Sequence, residues 1–363
     1  MNINGKKWRT IWLEANGTSI GVIDQRKLPH RLTSFIINSH EEAATAIKSM
    51  IVRGAPLIGV TGAYAVMLAM QKDPSNESLD NAYEKLLSTR PTAVNLSWAL
   101  QRMNKIIKNI PLNQRAEVAK KEAQLIAEED VLTCEAIGSH GVKVIKEVAN
   151  SKNKVEVKRA INILTHCNAG WLAAVDWGTA LAPIYKGHRS GMDIHVWVDE
   201  TRPRNQGASL TAYELGCEGV PHTVIVDNAG GHLMQHGQVD LVIVGSDRTT
   251  SSGDVCNKIG TYLKALAAYD NSVPFYVALP SSTIDWSISD GIDEIPIENR
   301  SPSEIFEVEG QLASGEIKKL RLCPVETKGY NPAFDVTPRK LITGLITEKG
   351  IFTPNELAMQ SHL

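Results

Sequence analysis

VDLVIVGSDRTTSSGDVCNKIGTYLKALAA, residues 239–268, is the stretch that decides the fold. Its apolar run, Leu241–Val244, predicts a short strand that is buried on both faces, as the strands of a parallel sheet are. Gly245 ends the run, and Asp247 follows at the carboxyl end of the strand. A carboxylate at that position is suited to acid–base chemistry, although an Asp after a strand also serves as a simple turn residue.

The second half of the stretch predicts a helix over Val255–Asp270, with Asp254 as its N-cap. Asn257 and Lys258 would then lie in the first turn of that helix, where free backbone N–H groups and the helix dipole favour an anion. The Walker A pattern G-x-x-x-x-G-K-[ST] and the pattern G-x-G-x-x-G are both missing from the stretch, which disfavours nucleotide hydrolysis and dinucleotide binding. The stretch therefore predicts chemistry on a small phosphorylated molecule.

Composition excludes several other classes of protein. The chain has 363 residues, 43% of them hydrophobic and 21% charged, which is typical of a soluble globular protein with room for two domains. A net charge of −2 gives no general reason to bind nucleic acid or an anionic membrane, so we expect neither partner. The longest apolar stretch, Pro56–Met70, is too short to span a bilayer, and residues 1–17 lack the apolar region of a secretory signal.

The five cysteines are scattered and form no C-x-x-C pair. This pattern predicts neither a disulfide framework nor a zinc site, and it favours a reduced, cytoplasmic protein.

Working outward, the sequence predicts an α/β protein with two domains. Residues 1–150 read as a small sheet with a turn at Asn16-Gly17, followed by helices that include Leu57–Met70, Asn113–Ile126 and Glu129–Ala149. The polar stretch Asn150–Lys154 is the predicted boundary. Residues 151–363 predict a Rossmann-like, doubly wound parallel sheet, because five short apolar runs alternate with helical segments. The runs are Ala160–Leu164, Ile194–Val198, Thr223–Val226, Leu241–Val244 and Phe275–Leu279, and one of the helical segments is Trp171–Ala182.

Ligands of such sheets bind beyond the carboxyl ends of the strands, and two more groups of polar residues lie there. Cys167 follows the first run and precedes a predicted helix, a position that lowers the pKa of a thiol, although a buried Cys is also often only a small hydrophobe. The loop 199–207 is dense in charged and amide side chains, of which Arg204, Asn205 and Gln206 are placed to bind a hydroxylated ligand. It has acids but no His at metal-ligand spacing, so we expect no metal.

The chain carries, in this order, the segments RGAP (53–56), RPTAVNL (90–96), THCNAG (165–170), DETRPRNQG (199–207), GSDR (245–248), NKIGTY (257–262) and NPAFDVTP (331–338). Together they resemble the methylthioribose-1-phosphate isomerase family of methionine salvage. The resemblance implies a small N-terminal sheet and helical domain joined to a Rossmann-like domain, assembled as a homodimer. It also implies an aldose–ketose isomerisation of 5-methylthioribose 1-phosphate to 5-methylthioribulose 1-phosphate, with no cofactor.

On this resemblance Cys167 and Asp247 are the catalytic couple. The substrate-binding residues that it implies are Arg53, Gly54, Ala55, Asn257 and Lys258 for the phosphate and Arg90 and Gln206 for the rest of the polar ligand. Isomerases of ribose 1,5-bisphosphate or 5-deoxyribose 1-phosphate remain an alternative, as do non-catalytic regulatory subunits of the translation initiation exchange factor. The Cys167–Asp247 couple favours an isomerase, because the regulatory subunits generally lack it.

Overall fold

The computed structural model describes residues 1–3, 5–90, 93–153 and 159–360. Pro91 and Thr92 of the segment 90–96, and Lys154 of the predicted boundary, lie outside the described residues. No described helix is both long and apolar enough to cross a membrane.

The first part of the chain contains small antiparallel sheets and then helices, as predicted. A hairpin turning at Asn16-Gly17 joins β3 to β4, and Ser39 caps the first helix with its side chain. The elements are β1 (Asn2–Ile3), β2 (Lys6–Lys7), β3 (Ile11–Leu13), β4 (Ile20–Ile23), β5 (Ser34–Ile37), α1 (His40–Lys48), α2 (Ala55–Lys72), α3 (Asn76–Leu87), α4 (Val94–Ile107) and α5 (Leu112–Asn153).

The second part alternates strands with helices around one large sheet. Its elements are β6 (Ile161–Thr165), α6 (Ala182–Arg189), β7 (Ile194–Asp199), α7 (Ala212–Cys217), β8 (His222–Ile225), α8 (Ala229–Gln235), β9 (Leu241–Val244), β10 (Arg248–Thr250), β11 (Val255–Lys258), α9 (Thr261–Asp270), β12 (Phe275–Ala278), β13 (Ile284–Asp285), α10 (Gly291–Glu294), α11 (Ser303–Phe306), β14 (Glu307–Gln311), β15 (Ile317–Arg321), β16 (Phe334–Thr337), β17 (Gly344–Thr347), β18 (Gly350–Phe352) and α12 (Pro354–Gln360).

The five predicted runs all form strands of this sheet, and they are parallel to one another. The sheet has seven strands in the order β18-β17-β12-β9-β6-β7-β8, because β17 adds a parallel strand and β18 an antiparallel edge that the sequence did not suggest. Alternate side chains of β9 pack in two different apolar clusters, one on each face of the sheet. Leu241 and Ile243 belong to one apolar cluster, and Val242 and Val244 to another, so both faces of the sheet are covered.

Two predicted helices, Asn113–Ile126 and Glu129–Ala149, are one helix of 42 residues, α5. The two residues between them, Ala127 and Glu128, favour helix, so nothing interrupts it. The first half of α5 packs with α2 in the helical core, and its second half packs on the parallel sheet through residues such as Ile137 and Ile145. The division of the chain at residue 150 stays a prediction.

The predicted helix Trp171–Ala182 is wrong. Trp171–Ala173 forms only a 3-10 turn, and α6 begins at Ala182. Trp177 and Gly178 have φ angles of 63° and 76°, which a right-handed helix does not allow, and the chain turns back so that Gly178 pairs with Gly170.

The predicted helix Val255–Asp270 is wrong in its first turn. Residues 255–258 form β11, which pairs antiparallel with β10 and β16 in a second, four-stranded sheet, and the helix begins at Thr261. Asp254 is not its N-cap, because the Asp254 carboxylate accepts the backbone N–H groups of Gly291 and Arg339.

Candidate active site

Cys167 and Asp247 lie at the carboxyl ends of two paired strands, β6 and β9. The loops that carry them are packed closely, since a Cβ on Gly245 would come within 2.7 Å of the Cβ of Ala169. Only glycine therefore fits between the two loops. The two acidic groups interact electrostatically, and the Asp247 charge raises the pKa of the Cys167 thiol. The structure thus brings the predicted couple together.

The Cys167 thiol is buried and held in place by the loop after β7. The backbone N–H of Cys167 donates to Thr201 Oγ1 at 2.8 Å, and its Sγ lies 3.4 Å from Gln206 Oε1. Cys167 and Thr201 both have left-handed backbones, with φ angles of 65° and 64°. Such conformations concentrate at sites where function fixes the backbone.

Burial raises the pKa of the Cys167 thiol, although the charges of Arg53 and Lys258 oppose that rise. The sequence suggests instead a pKa lowered by a helix N-terminus, and this expectation is wrong because only a 3-10 turn follows the loop. The resting thiol is therefore protonated and donates its hydrogen to the Gln206 amide oxygen.

Burial among protein atoms raises the pKa of the Asp247 carboxyl, and the charges of Lys258, Arg90 and Arg53 oppose this rise in that order. The backbone of Asp247 is fixed, because its N–H donates to the carbonyl of Cys256 at 2.9 Å. A raised pKa favours the protonated form of this carboxyl, which is the form that can deliver a proton to a substrate oxygen.

Arg53 reaches the site from the first part of the chain. Its guanidinium donates to the side-chain oxygen of Asn168 and, at 2.8 Å, to the Asn168 carbonyl. Asn168 in turn donates to the buried carboxylate of Glu214 at 2.7 Å. The guanidinium is thereby fixed beside the loop that carries Cys167.

Gly54 and Ala55 form the start of helix α2, immediately after Arg53. No side chain caps this helix, and the backbone N–H groups of the two residues have no hydrogen-bond partner among the described residues. Gly54 has a φ of 97°, and a Cβ there would lie 2.5 Å from Ala173 Cα. Free N–H groups next to a guanidinium form a suitable anion site.

Lys258 also belongs to the site, but it is positioned by strand β11 and not by the helix that the sequence predicted. Its buried ammonium lies 4.8 Å from the centre of the Phe334 ring and interacts electrostatically with Cys167 and Asp247. Burial lowers the pKa of Lys258. Asn257, the preceding residue, donates to Thr261 Oγ1 at 3.1 Å.

The sequence predicted an anion site at the N-terminus of the helix over Val255–Asp270, and this prediction is wrong. The Asp335 carboxylate already accepts the N–H groups of Gly260 and Tyr262, at 2.7 and 3.1 Å. An anion near Lys258 must therefore bind the Lys258 side chain, because a carboxylate of the protein already occupies the start of α9.

Arg90 is buried beside Asp247 and faces Glu298, whose Oε2 lies 3.3 Å from Arg90 Nε. Arg300 contacts the other oxygen of Glu298 at 2.7 Å. The sequence does not identify Glu298 and Arg300 as site residues, because they lie in the long segment between β13 and β16 and no local pattern places that segment at the site.

A cleft of about 390 Å³ opens beside Arg53 and Gln206. Part of its wall is apolar and comes from Leu28, Met50 and Leu210. Three cations in this cleft already have carboxylate partners: Arg26 pairs with Asp24, Arg204 with Glu304 and Lys319 with Glu307.

Among the described residues, His166, Asp199 and Asp227 form a cluster whose potential ligand atoms lie within 4.8 Å of one another. The ammonium of Lys264 already contacts this cluster, 3.2 Å from Asp199 Oδ2 and bonded to the Asp227 carbonyl. A metal ion would have to displace or neutralise that ammonium, so these residues do not fit one.

Comparison with known proteins identifies close relatives. The sequence profile of the Initiation factor 2 subunit family matches residues 51–354. A methylthioribose-1-phosphate isomerase of Methylocella silvestris is 59% identical over 359 residues, which are 99% of this chain and 97% of that protein.

Two solved structures are similar over nearly their whole length. The 5-methylthioribose 1-phosphate isomerase of Pyrococcus horikoshii has a TM-score of 0.81 and 39% identity, covering 98% of this chain and 96% of that one. A protein described as translation initiation factor eIF-2B, subunit delta, from A. fulgidus has a TM-score of 0.76 and 38% identity, with 96% of each chain covered.

We expect Glu298→Gln to shift the pH dependence of any reaction that needs protonated Asp247. The negative charge of Glu298 raises the pKa of Asp247, so its removal lowers that pKa. Activity that depends on the protonated acid should then be lost at a lower pH than in the wild type. The measurement is the pH profile of kcat, with Glu77→Gln, at an exposed residue of α3, as the control. An unchanged profile, or a shift to higher pH, contradicts this account of the site.

Proposed function

The chain belongs to the Initiation factor 2 subunit family and, within it, to the methylthioribose-1-phosphate isomerases, and we propose that it converts 5-methylthioribose 1-phosphate to 5-methylthioribulose 1-phosphate in methionine salvage. The observation that carries this proposal is the meeting of Cys167 and Asp247, both with raised pKa values, beneath Arg53, Arg90 and Lys258. Two proton-carrying groups and a set of cations are what the isomerisation of an anionic sugar requires.

The phosphate on the anomeric oxygen prevents spontaneous opening of the sugar to a free aldehyde, so the enzyme itself must open the ring. In our proposal Asp247 donates its proton to the ring oxygen while the bond from that oxygen to C1 breaks. The hydrogen on C2 moves to C1, and the C2 hydroxyl gives up its proton, which restores Asp247. Substrate and product are isomers, so no external oxidant or reductant is consumed.

Cys167 faces the same space, and its raised pKa favours the neutral thiol. We therefore assign it the stabilisation of charge that develops on the sugar, in preference to the role of resting base. Gln206 accepts the thiol hydrogen and is placed to exchange that contact for one with a sugar hydroxyl.

The phosphate, in this proposal, lies between the two parts of the chain. Arg53 and the N–H groups of Gly54 and Ala55 contribute from α2, and Lys258, with Asn257 beside it, contributes from β11. Arg90 then binds the remaining polar groups of the sugar.

Related substrates differ at C5, and the cleft next to Arg53 favours an apolar substituent. Leu28, Met50 and Leu210 line it, whereas Arg204 and Lys319 are paired with carboxylates and are not free for a second phosphate. These pairs argue against ribose 1,5-bisphosphate as the substrate.

The decisive assay compares turnover of the methylthio, deoxy and phosphorylated C5 substrates. We expect kcat/KM to be highest for 5-methylthioribose 1-phosphate and about 10-fold or more lower for 5-deoxyribose 1-phosphate, which leaves part of the apolar wall without a contact. Ribose 1,5-bisphosphate should be the poorest of the three. Preference for the bisphosphate would overturn the substrate assignment, and turnover of none of them would favour a regulatory subunit.

Asp247→Asn tests the proton transfer. The amide keeps the shape of the side chain but cannot donate a proton as the acid does, so kcat should fall by about 10²-fold or more while KM changes little. Asp293→Asn, the same chemical change at an exposed position, should leave kcat unaltered. Near wild-type turnover of Asp247→Asn would show that Asp247 is only a structural turn residue.

The chain is further proposed to act in the cytoplasm as a homodimer. Helix α9 exposes an apolar stripe to solvent, in which Leu263 is 59% and Tyr269 is 69% exposed, with Tyr262 and Leu266 alongside. Exposed apolar stripes of this kind are typical of subunit interfaces.

Leu263→Glu should therefore weaken the dimer, because a carboxylate would replace an apolar contact. The measurement is the sedimentation of wild type and variant across a range of concentrations. Leu112→Glu, at a similarly exposed leucine of α5, serves as the control. A wild-type chain that sediments as a monomer would contradict the proposal.

A further inference from the structure

His166 lies beside the catalytic couple without belonging to it, and its buried ring joins two loops of the site. Nδ1 lies 2.8 Å from Asp199 Oδ2 at the end of β7, and Nε2 lies 2.8 Å from the backbone carbonyl of Ile259. His166 directly precedes Cys167, and Ile259 directly follows Lys258. One side chain thus connects the loop that carries the thiol to the segment that carries the lysine.

Both partners of the ring are acceptors. The Ile259 oxygen is a carbonyl, and Asp199 Oδ2 also receives the Lys264 ammonium at 3.2 Å. Because a carbonyl can only accept, Nε2 donates to Ile259, and the contact of Nδ1 with Asp199 holds the ring in that direction. The other charged groups around it are Asp335, on β16, and Asp227, which accepts the backbone N–H groups of Thr201 and Arg202.

The bond to Ile259 is the part of this arrangement that lies next to Lys258 in the chain. In addition to the bond from His166, Ile259 has a backbone bond of its own, because its N–H donates to the carbonyl of Ala333 at 3.0 Å. A buried carbonyl that loses its donor is costly, so the segment would move to find another partner. Lys258 would move with it, because the two residues are adjacent.

We propose that His166 is a positioning residue for phosphate binding: through its Nε2 bond to Ile259 it sets the place of the Lys258 ammonium relative to Cys167. This inference rests on the proposed function in so far as Lys258 binds the phosphate of the substrate. His166 itself touches neither the phosphate nor the reacting carbons. Its effect is on affinity, since the ammonium binds the phosphate alike in the ground state and in the transition state.

Two substitutions separate the two hydrogen bonds of the ring. The amide nitrogen of asparagine falls near the position of Nδ1, and that of glutamine falls near the position of Nε2. His166→Asn therefore keeps a donor toward Asp199 and loses the one toward Ile259, whereas His166→Gln does the reverse. The matched controls are His195→Asn and His195→Gln, on β7, where the ring bonds to the hydroxyl of Thr223 and packs edge-on against Trp197, away from Lys258.

We expect the two variants to differ in KM, and we expect kcat to change little in either of them. His166→Asn should raise KM for 5-methylthioribose 1-phosphate by about 10-fold, with kcat within about 3-fold of the wild type, as for loss of a uniform binding contact. His166→Gln should keep KM within about 3-fold. Affinity for 5-methylthioribose, the sugar without phosphate, should be the same in both variants and in the wild type.

Inorganic phosphate, titrated calorimetrically into the same proteins, tests the inference without turnover. His166→Asn should weaken phosphate binding in the same direction as Lys258→Ala, and His166→Gln should not. If the wild type binds phosphate in this pattern but isomerises no sugar phosphate, the proposed reaction fails and the role of His166 stands.

Several results would overturn the inference. One is an equal effect of both variants on phosphate affinity, and another is an equal loss of affinity for the phosphorylated and the free sugar. The third is failure of both variants to fold, as measured by circular dichroism. That result would make His166 a requirement of the fold instead of a positioning residue. Where only His166→Gln folds, a strongly raised KM in that variant is sufficient to reject the role.

Discussion

The buried carboxylate of Glu214 is the contact on which the architecture of the site depends. It accepts hydrogen bonds from Asn168 Nδ2 and from the backbone of Trp171 at 2.7 Å, and from Tyr185 Oη at 2.8 Å. Burial nevertheless raises the pKa of this carboxyl to about 7. Because Asn168 also holds Arg53, one side chain of α7 fixes both the loop after β6 and the start of α2. Removing it would leave several buried donors unpaired at once.

The electrostatics of the site follow from the same enclosure. Burial favours the neutral forms of Cys167, Asp247 and Lys258, while neighbouring groups of opposite charge favour the ionised forms. Arg53, Arg90 and Lys258 bring positive charge close to Asp247. Glu298 partly compensates Arg90. On the proposed function, a phosphate dianion binds these cations. On the proposed function, binding and acid–base chemistry are also coupled, because an anion close to Asp247 further favours its protonated form.

The sequence predicted the parts of the site that follow buried strands, because apolar runs such as Leu241–Val244 have a strong local signal. It failed where the outcome depends on distant pairing. Val255–Lys258 reads as the start of a helix until β10 and β16 pair with it, and Glu298 reaches Arg90 only through tertiary structure. The roles of the candidate residues came from a resemblance of motifs, and spacing alone would have left Asp247 as a turn residue.

Helix α5 has a consequence for the order in which the protein assembles during synthesis. At 42 residues it extends for roughly 63 Å, and its halves pack in different cores. The ribosome releases Ile137 and Ile145 before any strand of the parallel sheet exists to cover them. The nascent chain must therefore carry an uncovered apolar surface until β6, β9 and β17 have emerged, and the last of these begins at Gly344. The core around the second half of α5 is therefore completed only after β17 has emerged.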